Sequence, residues 1–320
     1  MIIDMHNHIL PQSVLDQFQS DPAFGATLQG RKLIGANQAE FIVSPEFYDP
    51  GAKREELAAK RIDSAVLSLA PPAFSYQAEA SAGERLARAA NAGLAQFCTA
   101  SPNHFRWMAH VPMQSPERCP AVLTDATAAG CVAVQIGTNI VDRRIDDPVF
   151  AQFWSAADKL DLPVMIHPAY NPPYPGLAEF HLHNAIGNLL ETTIAFERLI
   201  CSGLLERFKQ LRLILVHGGG FIPYQAGRIR HAALVRPELV GRPTDPFGYG
   251  PRVFFDNLTH DPLAQIYLAG RAGLDQVMFG TDLPYDMAPL DPVDQLEQAF
   301  PSLLERERVS SANAIRLFRL

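Results

Sequence analysis

Short apolar runs alternate with amphipathic stretches along most of the chain. Each run spans four to six residues and is flanked by Gly, Pro or polar residues, which is the pattern of a buried strand. Eight runs have this form: 2–6, 65–69, 106–111, 132–136, 164–167, 213–217, 253–257 and 276–280. The amphipathic stretches predict helices at 50–61, 78–100, 116–129, 148–160, 189–208, 223–235, 262–272 and 302–318. This alternation predicts βα units and therefore a parallel sheet.

Eight βα units favour one architecture over another. A (β/α)₈ TIM barrel needs about 250 residues, and the 320 residues of the chain leave room for insertions. A doubly wound open sheet is the alternative, but Asn7-His8-Ile9-Leu10-Pro11 stands where its Gly-rich turn would follow the first strand. We therefore predict a single α/β domain, a (β/α)₈ barrel, over residues 1–320.

Two segments exceed what a minimal barrel needs. Residues 9–49 precede the first predicted helix and contain three glycines, so we expect a small insertion lobe beside the barrel mouth. Residues 168–187 are rich in Pro and aromatic residues, and loops of that length often act as lids. Tyr170 is the aromatic side chain of this loop that we expect to contact a substrate.

Side chains that can bind metals or carry protons stand at the ends of the predicted strands. His6 and His8 are two positions apart, and because side chains alternate along a strand they point to the same side. His167 ends the fifth run, His217 ends the sixth, and Asp282 follows the eighth. The C-terminal strand ends of a (β/α)₈ barrel surround one mouth. We therefore expect these five residues to lie together, in a set suited to a divalent metal ion.

Composition narrows the class of protein. The chain is 48% hydrophobic and 19% charged, and its net charge of -7 gives no support to nucleic-acid binding. No apolar run approaches the roughly 20 residues that span a bilayer. The N-terminus lacks the pattern of a secretory signal, so a cytoplasmic location is expected. The four cysteines form no C-x-x-C pair and are expected to be reduced and buried.

Several short motifs accompany the His and Asp positions. They are His217-Gly218-Gly219-Gly220, Gly227-Arg228-Ile229, Gly280-Thr281-Asp282-Leu283-Pro284, Glu191-Thr192-Thr193, Ala133-Val134-Gln135-Ile136-Gly137-Thr138 and Pro112-Met113-Gln114. Together with His6-x-His8, this set resembles the amidohydrolase superfamily, and within it the branch typified by 2-amino-3-carboxymuconate-6-semialdehyde decarboxylase. The likeness runs over almost the whole chain.

The resemblance implies a metal centre. The ligands that it implies are His6, His8, His167 and Asp282, with a water completing the shell. It also implies that His217 is the catalytic acid/base. Many members hold two metals bridged by a carboxylated lysine on strand four, but Val134-Gln135-Ile136-Gly137 contains no lysine. One divalent ion is therefore expected, with zinc as the first choice for three His and one Asp, and manganese as the alternative.

The resemblance also implies residues that contact the substrate. The decarboxylase branch has an arginine ahead of the first helix that pairs with a substrate carboxylate, whereas the matching position here is Phe41. This change favours a substrate that is less acidic or more aromatic on that side. Arg228 is retained and can grip a carboxylate in its own or a neighbouring subunit's site, so a homodimer is expected, although a surface arginine is the alternative. Tyr285 is expected in the pocket wall.

Three functions remain open on the sequence. The first is a metal-dependent decarboxylase of an unsaturated or aromatic carboxylate, in which metal-bound water, His217 and Asp282 take part. The second is a hydrolase or hydratase of a lactone, ester, amide or enol acid that uses the same site. The third, a non-enzymatic metal-binding barrel, leaves His217 without a role. His181 and His183 repeat the His-x-His spacing but are expected to face solvent.

Overall fold

Eight parallel strands form the central sheet in the computed structural model, which describes residues 1–35, 40–169 and 174–320. Each strand pairs in parallel with the one that precedes it in the sheet. The strands are β1 (Ile3–Ile9), β2 (Ser64–Leu69), β3 (Phe105–His110), β4 (Ala133–Gly137), β5 (Val164–His167), β6 (Leu213–Leu215), β7 (Val253–Asp256) and β8 (Val277–Met278).

Helices supply the crossovers that parallel pairing requires. They are α1 (Gln12–Ser20), α2 (Pro50–Ala59), α3 (Ala80–Thr99), α4 (Cys119–Ala128), α5 (Ala151–Lys159), α6 (Leu189–Cys201), α7 (Leu204–Arg207), α8 (Ile222–Val235), α9 (Pro262–Ala272), α10 (Pro292–Ala299), α11 (Leu303–Glu307) and α12 (Asn313–Phe318). None of the described helices combines the length and apolarity needed to cross a bilayer.

The sheet closes on itself between its first and last strands. The backbone N–H of Met5 donates to the carbonyl of Phe279 at 2.9 Å, and that of His8 donates to the carbonyl of Leu283 at 2.8 Å. These bonds join β1 to the segment that follows β8. The predicted fold class, a (β/α)₈ barrel with an insertion after the first strand, is confirmed.

The interior of the barrel changes from apolar to polar along the strands. A buried apolar cluster that includes Met108, Met165 and Phe254 packs against α12. Because side chains alternate along a strand, the residue two positions further on also faces inward. On these three strands those residues are His110, His167 and Asp256. The polar layer therefore lies at the C-terminal ends, where a (β/α)₈ barrel carries its active site.

The segment between β1 and α2 contains α1 and a three-stranded antiparallel sheet. The strands of that sheet are Thr27–Gln29, Lys32–Ile34 and Glu40–Ile42. Neither α1 nor α10 was predicted, although the buried Val14, Leu15 and Phe18 of α1 have helical spacing. The predicted final helix is present, but a π-helical turn at Arg308–Ala312 lies between α11 and α12.

Candidate active site

Four side chains converge at the C-terminal end of the barrel. His6 and His8 come from β1, His167 ends β5, and Asp282 follows β8. All four are buried, and one potential ligand atom from each lies within 4.8 Å of the others. The Nε2 atoms of His8, His6 and His167 lie 2.9, 3.3 and 3.8 Å from Oδ1 of Asp282. The structure therefore brings together the four residues predicted to bind a metal.

Both histidines of β1 face the barrel interior because the pairing of this strand is irregular. β1 continues to Ile9, beyond the predicted end at residue 6. Met5 packs in the apolar interior cluster, yet the next residue, His6, also faces inward. The pairing of β1 with β2 shifts register between Asp4 and Asn7, and such an irregularity re-aims the side chains that follow it.

A second contact orients each imidazole of the centre. The Nδ1 atoms of His6, His8 and His167 all lie within hydrogen-bond distance of an oxygen. Those oxygens are, in the same order, Asp256 Oδ2 at 2.8 Å, Ser68 Oγ at 2.9 Å and the carbonyl of Pro168 at 2.7 Å. The three Nε2 atoms and Oδ1 of Asp282 have no hydrogen-bond partner of normal geometry within the described ranges. Outer contacts of this kind fix the tautomer of metal-binding histidines.

The electrostatics of the centre suit a cation. Burial lowers the pKa of His8 to about 4 and that of His167 to about 3, so both rings are neutral at pH 7. Burial also acts to lower the pKa of His6, but the charge of Asp282 and the hydrogen bond to Asp256 outweigh it and raise that pKa to about 10. Metal ligation needs an unprotonated nitrogen, so a bound cation would replace the proton of His6. Three imidazoles and one carboxylate with unpaired buried atoms fit a divalent metal ion.

A buried polar network holds Asp282 against β1. The carboxylate of Asp4 accepts hydrogen bonds from the backbone N–H of Thr281 at 3.1 Å and from its hydroxyl at 2.5 Å. Asn7 donates to the same carboxylate at 2.9 Å and accepts from the buried ammonium of Lys53 at 3.0 Å. The backbone N–H of Asp282 itself donates to the carbonyl of His6 at 2.8 Å. These bonds fix the carboxylate ligand relative to the histidines.

Sequence reasoning missed Asp256, which lies at the end of β7. Its Oδ2 accepts from Nδ1 of His6 and from the backbone N–H of His217, at 2.8 and 2.9 Å. Its Oδ1 accepts from the backbone N–H of Gly218 at 2.7 Å. One buried carboxylate therefore orients a candidate metal ligand and also holds the turn that carries His217. The available signal was its place at a strand end, the same signal that identified the other residues.

His217 lies just beyond β6, in a turn rather than in the predicted strand. It has a left-handed backbone with φ of 55°, and its Nε2 is 3.5 Å from Oδ2 of Asp282. A Cβ on Gly220 would lie 2.3 Å from the carbonyl oxygen of Leu189, and one on Gly219 would lie 2.6 Å from the ring of Phe255. These glycines are therefore needed for the turn and its packing.

A cavity of about 740 Å³ opens above the centre and includes His167 and Asp282 in its lining. Phe41, Phe47 and Tyr285 form one wall, with ring centroids 5.0 to 5.5 Å apart. The Tyr285 hydroxyl is buried and has no hydrogen-bond partner among the described residues. Burial and the charge of Asp282 raise the pKa of Tyr285 well above its usual value, so the phenol remains a donor.

The other predicted substrate residues differ in position. Phe41 and Tyr285 line the cavity as expected, whereas Arg228 is exposed on α8 and is not part of the cavity wall. Tyr170 lies outside the described residues. His181 and His183 are exposed, as expected, but they also line the cavity, with ring centroids 4.8 Å apart. The loop after β5 therefore brings two imidazoles to the mouth.

The family comparison assigns the chain, because the amidohydrolase family model matches residues 3–320. The chain belongs to the amidohydrolase family. One relative, 2-amino-3-carboxymuconate-6-semialdehyde decarboxylase of Dictyostelium discoideum, is 28% identical over 331 residues, which cover 99% of this chain and 91% of the relative. Gamma-resorcylate decarboxylase of Polaromonas sp. is 28% identical over 278 residues, which cover 81% of this chain and 84% of the relative. The predicted branch of the superfamily is confirmed.

Solved structures share the fold of this amidohydrolase. The IDCase of Metarhizium anisopliae in its apo form superposes with a TM-score of 0.89 at 23% identity, covering 100% of this chain and 97% of that one. A dihydroxybenzoic acid decarboxylase of Polaromonas sp., with bound manganese and the inhibitor 2-nitroresorcinol, gives 0.79 at 24% identity, covering 100% and 97%. Both matches span the whole barrel.

Strand β4 of this amidohydrolase, where a lysine that bridges two metals was sought in the sequence, carries a neutral side chain. Gln135 is buried on β4, and neither atom of its amide has a hydrogen-bond partner in the parts of the chain described. It pairs across the sheet with His110, which stacks on Phe74 with ring centroids 5.0 Å apart. Within the described ranges, the four-residue set around Asp282 is the one group able to hold a metal.

A buried carboxylate anchors the loop that follows β5. Glu191, in the first turn of α6, is fully buried. It accepts hydrogen bonds from the side chains of Asn139 and Arg144, both at 2.6 Å, and from the hydroxyl of Tyr174. Tyr174 belongs to the loop that carries His181 to the cavity. This contact ties the loop to the barrel and so fixes one wall of the amidohydrolase cavity.

Proposed function

We propose that this amidohydrolase is a metal-dependent decarboxylase, a carboxy-lyase that acts on an unsaturated or aromatic carboxylate. The observation that carries the proposal is the convergence of His6, His8, His167 and Asp282 beneath an aromatic-walled cavity, with His217 beside them. The decarboxylases of similar sequence, which act on an amino-carboxymuconate semialdehyde and on gamma-resorcylate, support the reaction class.

His6, His8, His167 and Asp282 would hold one divalent ion. Zinc is the proposed metal because three imidazoles and one carboxylate match its usual donor set. Manganese is the alternative, since these ligands also accept it and a structural neighbour contains it. When bound, the ion supplies positive charge that stabilises negative charge developing on substrate oxygens.

The side chains of the site account for the remaining steps. Decarboxylation breaks the bond between the ring or chain carbon and the carboxylate, leaves the electron pair on that carbon and releases CO₂. The carbon then needs a proton, and the imidazole of His217 would deliver it from beside Asp282. The hydroxyl of Tyr285, which has no other partner in the described structure, would donate to an oxygen of the bound substrate.

Mass spectrometry of the products tests the proposal directly. Metal-loaded protein would be incubated with muconate-type, hydroxybenzoate-type and lactone compounds, alongside His217→Asn protein as the inactive control. Loss of CO₂ from a carboxylate by the wild-type protein alone supports the proposal. Gain of water without CO₂ release would assign the site to hydrolysis or hydration and would overturn the decarboxylase assignment.

A homodimer is proposed as the functional assembly. Tyr224 on α8 and Leu263 on α9 are 79% and 73% exposed, and the ring of Tyr267, also on α9, is 6.4 Å from that of Tyr224. Arg228 is exposed one helical turn after Tyr224, so a second copy on this face would have access to it. Light scattering of Tyr224→Glu protein should report a monomer, whereas a wild-type monomer would contradict the proposal.

A further inference from the structure

The wall of the cavity contains carboxylates and imidazoles but no lysine or arginine among the described residues. Its acidic and imidazole side chains are Glu40, His167, His181, His183, Asp282 and Asp286. No Lys or Arg belongs to the cavity wall within residues 1–35, 40–169 and 174–320. The intervening segments, 36–39 and 170–173, contain no Lys or Arg in their sequence. The chain therefore provides no cationic side chain of its own to pair with a substrate carboxylate.

The basic residues of the insertion, and Lys53 in α2, already form contacts elsewhere. Lys32 forms an ion pair with Glu40 on the neighbouring strand. Lys53 is fully buried and contacts Glu56 at 2.7 Å. Arg31 donates from Nε to the carbonyl of Val43 at 3.2 Å. Turning any of these toward the cavity would break a contact that the insertion or α2 uses.

From this arrangement we infer that the substrate is a monocarboxylate on a flat aromatic ring, and that its other ring substituents are uncharged hydrogen-bonding groups. The inference rests on the proposed function and specifies its substrate class. The single carboxylate is the group that leaves. A second carboxylate would lie beside the carboxylates of Glu40 and Asp286, and no Lys or Arg among the described residues of the cavity wall would pair with it, so like-charge repulsion would disfavour its binding.

The apolar part of the cavity fits a ring. Phe41 presents its ring to Tyr285, with centroids 5.5 Å apart and planes at 69°. Pro71 and Pro168 add further apolar surface to the lining. Aromatic side chains pack well against a flat ring in edge or offset geometries. Phe41 therefore offers a bound ring a packing contact and no charge.

The polar part of the cavity is provided by the loop after β5. His181, His183 and Asn184 all line the mouth. Burial, together with the neighbouring His181, lowers the pKa of His183, so its ring is neutral at pH 7. A neutral imidazole such as that of His183 and an amide such as that of Asn184 exchange hydrogen bonds with hydroxyl or methoxy groups. These side chains would thus select ring substituents without calling for a second negative charge.

Matched pairs of acids test the substrate class. The catalytic efficiency kcat/KM for CO₂ release and the calorimetric Kd would be measured with 2,4-dihydroxybenzoate and with 4,6-dihydroxyisophthalate, which adds a second carboxylate. We expect a preference of about 100-fold for the monocarboxylate. Phe41→Arg should raise kcat/KM for the isophthalate by about tenfold, whereas Phe41→Leu, which removes the ring without adding charge, should not.

The histidines of the mouth provide a second test. His181→Ala and His183→Ala should each raise KM for the dihydroxybenzoate about fivefold and leave its kcat nearly unchanged. The same variants should not change KM for benzoates that lack ring hydroxyls. His104→Ala, which removes an exposed histidine outside the cavity lining, is the matched control.

The outcomes separate this inference from the function on which it rests. CO₂ release with equal or greater efficiency from the isophthalate would overturn the inference and leave the decarboxylase proposal intact. A preference for the isophthalate that is lost in Arg228→Ala would also overturn the inference, because a partner subunit would then supply the cation. Tighter binding of the monocarboxylate without CO₂ release from any compound would support the inference and overturn the decarboxylase proposal.

Discussion

The metal centre and the cavity mouth contain the same kinds of side chain in opposite settings. His8 and Asp282 are buried, and each is fixed by contacts with the barrel strands. His181 and Asp286 are exposed and are carried by loops. The centre is built on the strand ends of the barrel, whereas the mouth is built from the insertion, the loop after β5 and the segment after β8. We therefore propose that the barrel sets the chemistry of this amidohydrolase and that the loops set which substrate reaches it.

The largest expected effect comes from replacing Asp282, and Asp286, four residues further along the chain, provides the control. Asp282→Ala removes the one carboxylate among the four candidate ligands, so the protein should lose its divalent ion and turnover should fall roughly 1,000-fold. Asp286→Ala alters the mouth alone and should leave the metal content unchanged. Elemental analysis after gel filtration measures the metal content of both variants. Equal metal content in the two variants would show that the centre and the mouth are not separate.

A smaller effect is expected from the carboxylate behind the centre. Asp256→Asn weakens the contact that orients His6 while leaving all four ligands in place, so metal affinity should fall about 10- to 100-fold. Competition with a chelating dye measures this affinity. Asp245→Asn, at an exposed position, is the control. An unchanged affinity in Asp256→Asn would mean that packing alone orients His6.

The loop anchor should affect substrate binding and not the metal. Tyr174→Phe removes the hydroxyl that donates to Glu191, so KM should rise about threefold while kcat and metal content stay constant. Tyr249→Phe breaks a similar contact, to Glu206 at 2.6 Å, away from the cavity, and should leave KM unchanged. A fall in kcat without a change in KM would show that the loop acts on the chemistry.

The smallest effect concerns a buried histidine that is not a ligand. Burial lowers the pKa of His110 to about 4, whereas the unfolded chain has a value near 6.5. Between these values the unfolded state binds a proton that the folded state does not, so the free energy of unfolding falls as the pH falls. His110→Phe should reduce the drop between pH 7.5 and 5.5 by about 1 kcal/mol. Urea unfolding of the metal-free proteins measures it. An identical pH dependence in both proteins would contradict a neutral buried His110.

The sequence predicted the positions of all eight barrel strands but not their ends. Buried parallel strands are apolar on both faces, so their centres stand out in a sequence. β1 was predicted to end at His6 because Asn7 and His8 are polar, yet Asn7, His8 and Ile9 also pair with β2. An active site requires polar residues inside a strand, so the apolar pattern does not predict the ends of strands that carry site residues.

The metal ligands were predictable and the substrate wall was only partly so. His6, His8 and His167 belong to strands, and the barrel topology determines where strand ends meet. Asp256 was missed because an apolar pattern does not reveal which polar residue at a strand end faces inward. His181 is exposed, as expected, but its place in the cavity lining was not predicted, because the path of a long loop depends on distant contacts such as that of Tyr174 with Glu191. Arg228 is exposed and lies outside the cavity wall, and its role at a substrate carboxylate stays a prediction.

Metal titration with simultaneous CO₂ measurement tests the central claim most directly. Metal-free protein would be reloaded with zinc or manganese in steps, and CO₂ release from a hydroxybenzoate would be recorded at each step. The account predicts that release rises in proportion to bound metal and saturates at one ion per chain. Saturation at two ions, or CO₂ release that is independent of metal, would contradict a single catalytic ion held by His6, His8, His167 and Asp282.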